Sequence, residues 1–92
     1  MHNVQWTPTA VKSYNNLIAR TKSFELALDK KISTLETMPR SFPFDENYKL
    51  NRAVVNKRHI LFYDIVPSRN MVVLILFFDT KADTEKIRAL LN

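Results

Sequence analysis

Ninety-two residues suffice for one apolar core but not two, so the chain reads as a single domain over residues 1–92. Hydrophobic residues make up 46% and charged residues 25%, with a mean hydropathy of −0.22, which is the profile of a folded globule rather than a disordered chain. The absence of Cys excludes disulfides and thiolate zinc sites, and the absence of Gly excludes the glycine-built phosphate cradles of P-loop and dinucleotide-binding proteins; fourteen Lys and Arg against nine Asp and Glu (net +5) point to an acidic macromolecular partner.

Residues 3–6 form a short extended segment, and Thr7-Pro8 follows as a helix start, with Thr7 as cap and Pro8 where its missing N–H costs nothing. Ala10, Val11, Tyr14, Leu17 and Ile18 recur at helical spacing on one face. Ser23 is the expected cap of a second helix carrying Phe24, Ala27, Leu28, Ile32, Leu35 and Met38, joined to the first through Thr21-Lys22 as a helical hairpin. Leu17, Ile18, Leu28, Ile32 and Leu35 are its expected core contribution.

Pro39 and Pro43 bracket an irregular connection, after which the pattern changes to β. Residues 48–55, 58–66 and 71–78 are rich in β-branched, aromatic and aliphatic side chains and read as three sequential antiparallel strands. Asn56-Lys57 makes the first turn, with Asn56 the residue expected at positive φ, and residues 67–70 make the second. Residues 84–91 read as a short C-terminal helix. The fold class is therefore α+β: an N-terminal strand, a helical hairpin, a three-stranded antiparallel meander joined into one twisted sheet, and a short C-terminal helix. In the middle strand Arg58, Ile60, Phe62 and Asp64 share one face and His59, Leu61, Tyr63 and Ile65 the other. The helices can cover only one of these faces, so the other is expected to be partly exposed or to await a partner.

Two distant His residues without carboxylates at ligand spacing give no metal site, and no nucleophile elbow organises the Ser, His and Asp residues. No cofactor is implied. Lys49, Arg52, Lys57, Arg58, Arg69 and Lys81 surround the sheet together with Tyr48, His59 and Tyr63, a combination suited to holding phosphates beside groups that stack or transfer protons. From these, Lys49, Arg52, Lys57, Arg58, Tyr63 and Lys81 are candidate binding residues, and Arg52, Arg58, His59 and Lys81 candidate catalytic ones. The opening of the chain has no basic leader followed by an apolar run, and its longest apolar stretch, residues 71–78, falls short of the ~20 residues that span a bilayer. A cytoplasmic protein without a membrane partner is expected.

Trp6-Thr7-Pro8 leading into a helix, residues 35–39 (Leu-Glu-Thr-Met-Pro), residues 48–52, residues 60–65 (Ile-Leu-Phe-Tyr-Asp-Ile) and residues 72–81 together resemble the RelE/ParE superfamily of bacterial toxins over nearly the whole chain. The resemblance implies the toxin of a type II toxin–antitoxin, or plasmid-stabilisation, module whose partner is an acidic, partly disordered cognate antitoxin. RelE-like members are described as ribosome-dependent mRNA endonucleases and ParE-like members as inhibitors of DNA gyrase. RelE-like enzymes usually carry an Arg where this chain has Ile60, a basic residue matched here by Lys81, and a terminal Tyr where this chain has Ile87. Phe78-Asp79-Thr80-Lys81 is more similar to the ParE-like pattern. The expected function is thus a ParE-like toxin that binds a macromolecular target such as DNA gyrase. The alternatives are a RelE-like mRNA endoribonuclease and a catalytically inactive, antitoxin-binding member.

Overall fold

The computed structural model describes residues 1–17 and 22–80. In chain order these form β1 (Asn3–Trp6), α1 (Pro8–Asn15), α2 (Lys22–Thr37), a 3₁₀ turn (Pro39–Ser41), β2 (Phe44–Asp45), β3 (Leu50–Val54), β4 (His59–Val66), a second 3₁₀ turn (Pro67–Arg69) and β5 (Met71–Asp79). The expected C-terminal helix, and with it Lys81 and Ile87, lies outside the described residues, as do Ile18 and Thr21.

The strands join in one sheet, ordered β1-β5-β4-β3-β2. The meander β3-β4-β5 is antiparallel, and β1 lies parallel to β5, Asn3 opposite Met71 and Trp6 opposite Leu74. Thr7 ties this edge to the first helix. Its hydroxyl accepts from the Ala10 N–H at 3.1 Å, capping α1, and donates to the Leu74 carbonyl at 2.8 Å. Where β1 ends, α1 takes over the edge of β5: the Ser13 hydroxyl accepts the Phe77 N–H at 3.0 Å.

One face of the sheet packs on the helices. Phe24, Leu28 and Leu35 of α2 and Ala10 of α1 are buried with Ala53, Val55, Leu61, Tyr63, Val72, Leu74 and Phe77 in one core, with Leu17 and Ile32 partly buried at its margin. Trp6 stacks on Phe77 at 5.3 Å between ring centres, and Tyr14 meets both rings edge-on.

Several expectations are corrected. α1 ends at Asn15, so Leu17 lies beyond it, and Val11 is exposed. α2 begins at Lys22, which places Ser23 in its first turn rather than at the cap and removes Lys22 from the connection. Met38 lies past the helix and is exposed, because Pro39 forbids another turn. A strand that the sequence reading leaves unassigned precedes the meander: β2 pairs with β3, Phe44 opposite Asn51 and Asp45 opposite Leu50. A two-residue strand has no periodicity, so only its partner reveals it. The next strand starts at Leu50 rather than residue 48 because a tight turn precedes it: the Asp45 carboxylate accepts the Asn47 and Tyr48 N–H groups, and Lys49 takes a left-handed φ of 59°. The positive φ expected of Asn56 occurs instead at Lys49 and, in the second turn, at Asn70 (51°). Asn56 shapes its turn through its side chain, which accepts the Arg58 and His59 N–H groups, both at 2.9 Å.

Candidate functional site: the open sheet face

The face away from the helices is built by strand register. Arg52 lies opposite Phe62 and Phe62 opposite Leu76; Val54, Ile60 and Phe78 form the next row. After Phe62 the register shifts, since Tyr63 pairs with Leu74 and Ile75 is left as the extra residue of a bulge. The bulge puts consecutive residues Ile75 and Leu76 into the same cluster, which strict alternation would forbid. The result is a small apolar floor of Phe62 and Leu76, both buried, flanked by Tyr48, Leu50, Ile60, Ile75 and Phe78. Tyr48 sits edge-on to Phe62 at 5.4 Å.

Cations rim this floor. Arg52, about half exposed, approaches Asp45 at 3.6 Å, and Lys49 approaches Glu46 at 3.8 Å with both side chains largely in solvent. The Lys49–Glu46 pair, exposed on both sides, contributes little to stability and leaves Lys49 available to another anion, whereas Arg52 meets a carboxylate that is only 12% exposed. Lys57 is exposed in the β3–β4 turn, and Arg69 is exposed in the turn after β4.

The end of the sheet, where β4 begins and β5 ends, carries a tighter arrangement. Arg58 Nε donates to both oxygens of the Asp79 carboxylate, at 3.0 and 2.9 Å, and these bonds, then the Asp79 charge, raise the guanidinium above its ordinary value. His59 lies beside the pair, almost fully buried against the edge of the Phe24 ring, centroids 5.0 Å apart. Asn56 Oδ1 lies 2.9 Å from His59 Nδ1. Because that oxygen also accepts two backbone N–H groups, the proton of the neutral ring sits on Nδ1. Nε2 then has no hydrogen-bond partner and faces Asp79 Oδ2 at 3.9 Å. Burial holds the His59 pKa below its usual value; Asp79 opposes this shift and Arg58 adds to it.

The residues that the sequence nominates thus separate in space. Lys49 and Arg52 border the open face, Lys57 occupies the adjoining turn, and Arg58 and His59 lie at the sheet end; Lys81 is outside the described residues. Tyr63 is corrected from a surface binder to a core residue: it is fully buried, and its hydroxyl donates to the Pro39 carbonyl at 2.6 Å. That burial raises its pKa to about 12. His59 is likewise inside rather than at the surface, and Ile60 is half-buried on the open face. Asp45 and Asp79, which lie against the two arginines, are not among the residues that sequence reasoning nominates. Nothing in their spacing marks them, because cross-strand register brings them to their partners. Among the described residues no group of three potential metal ligands occurs, and no helix is long and apolar enough to cross a membrane.

No family model matches the sequence, and no curated protein matches it. Solved structures do match. The isolated RelE toxin of E. coli superposes with a TM-score of 0.71 at 14% identity, covering 98% of this chain and 96% of that one. The fold is RelE-like. The toxin–antitoxin complex RelBE of E. coli gives 0.72 at 14% identity over 89% of this chain and 100% of the matched one, and the YoeB-YefM complex of Staphylococcus aureus gives 0.62 at 13% over 84% and 94%. These matches lie on the RelE and YoeB side, so the ParE-like reading with DNA gyrase as target gains no support from them.

Proposed function

We propose that this protein is the toxin of a type II toxin–antitoxin pair, of the RelE-like kind, acting on ribosome-bound mRNA and neutralised by an acidic antitoxin. The observation that carries the reading is a RelE-like fold whose sheet face away from the described helices is apolar in the middle and bordered by Lys49 and Arg52, with Arg58 at the end of the sheet. RNA cleavage by the neighbouring 2′-hydroxyl forms the 2′-O–P bond and breaks the P–O5′ bond, with negative charge growing on the phosphorus oxygens. Arg52 and Arg58 are suited to hold that phosphate and offset the charge. His59 and Tyr63 are too buried to exchange protons with it.

Primer extension on mRNA from translating ribosomes tests this. Cuts at defined codons should fall by about 10²-fold on Arg52→Ala or Arg58→Ala, while gyrase supercoiling stays unaffected by the protein. Ile60 favours a second reading, since it places an aliphatic group on the open face where a charge would serve catalysis. In that reading the protein binds its antitoxin and does not cut. Ribosome binding without cleavage would support it.

The antitoxin side rests on the same surface. A disordered acidic chain that folds on the toxin would gain affinity from apolar burial and association rate from charge. Arg52→Glu with Arg58→Glu should therefore slow association and flatten its salt dependence.

A further inference from the structure

The Arg58–Asp79 pair has a geometry that a simple ion pair does not require. A guanidinium commonly grips a carboxylate with two nitrogens at once. Here Arg58 Nε donates to both carboxylate oxygens, and no hydrogen bond from either Nη to a described residue accompanies it. The Arg58 side chain is 40% exposed and that of Asp79 21%, so the carboxylate is the inner partner. The second nitrogen near that carboxylate, His59 Nε2, carries no proton in the neutral ring and does not compete for it. The groups around His59 are Arg58 beside it, Asp79 on β5, the neutral Asn56 in the turn and the uncharged Phe24 ring of α2.

We infer that Asp79 is a positioning residue: it holds Arg58 by Nε so that the two Nη groups bind a phosphodiester of RNA at the end of the sheet. The inference rests on the RNA-directed reading above. It differs from a general basic surface in one sign. If Arg58 contributes only charge, removing the Asp79 carboxylate makes the protein more positive and strengthens RNA binding. If Asp79 positions Arg58, the same change lets the guanidinium swing away and weakens binding.

The test titrates fluorescently labelled protein with ribosomes programmed with a short mRNA at several salt concentrations. Asp79→Asn, which keeps the side chain's shape, is expected to weaken binding by about three- to tenfold despite its added net positive charge. In an Arg58→Ala background the same substitution should lose most of its effect on binding, because the part of Asp79 that concerns RNA acts through Arg58. Arg58→Lys keeps the charge but has one nitrogen, which Asp79 occupies; it should bind as poorly as Arg58→Ala, and it keeps the test open should Asp79→Asn not fold. Unchanged or tighter binding by Asp79→Asn, or wild-type binding by Arg58→Lys, overturns the inference and leaves the RNA-directed reading standing. Failure of the wild-type protein to bind the ribosomes overturns both.

Discussion

The two faces of this sheet use the same strands for opposite ends. On the helix side two ring side chains are inside and hydrogen-bonded: the Tyr63 hydroxyl donates to the Pro39 carbonyl, and His59 Nδ1 to Asn56 Oδ1. On the other side Phe62 and Leu76 are buried too, but the cations Lys49, Arg52 and Arg58 stand around that cluster, each beside a carboxylate. Side chains that chemistry would nominate for catalysis, a tyrosine and a histidine in mid-strand, belong to the stabilising face. Charge therefore separates the two faces better than titratability does, since a buried charge is too costly to keep unless it is paired.

The sharpest way to separate the faces is to remove mass from the covered one. Leu35 is fully buried in the helix-side core, and Leu35→Ala is expected to cost about 2–5 kcal/mol through lost transfer energy and the residual cavity. Chemical denaturation measures this. Ribosome binding per folded molecule should not change.

A smaller effect tests whether Tyr63 belongs wholly to the covered face. Tyr63→Phe leaves the buried Pro39 carbonyl without its donor and should cost about 1–3 kcal/mol with RNA binding intact. The alkaline behaviour sharpens the point. The folded-state pKa, about 12, lies above the ordinary 10.0, so the native state keeps a proton that the unfolded chain loses. Stability is fully present below pH 10 and falls as the pH rises towards 12, and Tyr63→Phe should remove that part of the alkaline limb.

His59 gives the mirror image at the acid end. Its folded-state pKa is depressed from 6.5 by burial, so the unfolded chain takes up the proton first. This contribution is present above pH 6.5 and is lost as the pH falls through the folded value. Thermal melts of wild type and His59→Gln across neutral to mildly acidic pH should show the variant less stable at neutrality and less sensitive to acid. An equal acid sensitivity in both would assign the loss to carboxylates elsewhere.

Much of this division is legible in the sequence. The alternation of residues 59–65 places His59, Leu61 and Tyr63 on one face and Ile60 and Phe62 on the other, and Thr7-Pro8 fixes the start of α1. What escapes depends on pairing across the chain. Alternation cannot show that Ile75 is the extra residue of a bulge, nor that Phe44–Asp45 becomes a strand once β3 lies beside it. Asp79 is 21 residues from Arg58, and only the β4–β5 register brings them together. The turn before β3 is hidden for another reason: its left-handed residue is a lysine, in a chain with no glycine to announce such a position.

That lysine supplies the smallest and most discriminating test of the two faces. At φ 59°, the Cβ of Lys49 crowds the backbone, a strain that glycine would not feel. The ion pair to Glu46 offsets little, since both side chains are largely in solvent. Lys49→Gly should therefore stabilise the fold by up to about 1 kcal/mol, the relieved strain being partly cancelled by the greater freedom of glycine in the unfolded chain. The same change removes a cation from the rim of the open face, so ribosome binding should weaken and its salt dependence become shallower. A gain in melting temperature together with a loss of affinity would mean that Lys49 occupies a turn position it does not fit because its charge serves the open face. If affinity and salt dependence stayed at wild-type values while stability rose, Lys49 would lie outside the RNA surface, and the working rim would begin at Arg52.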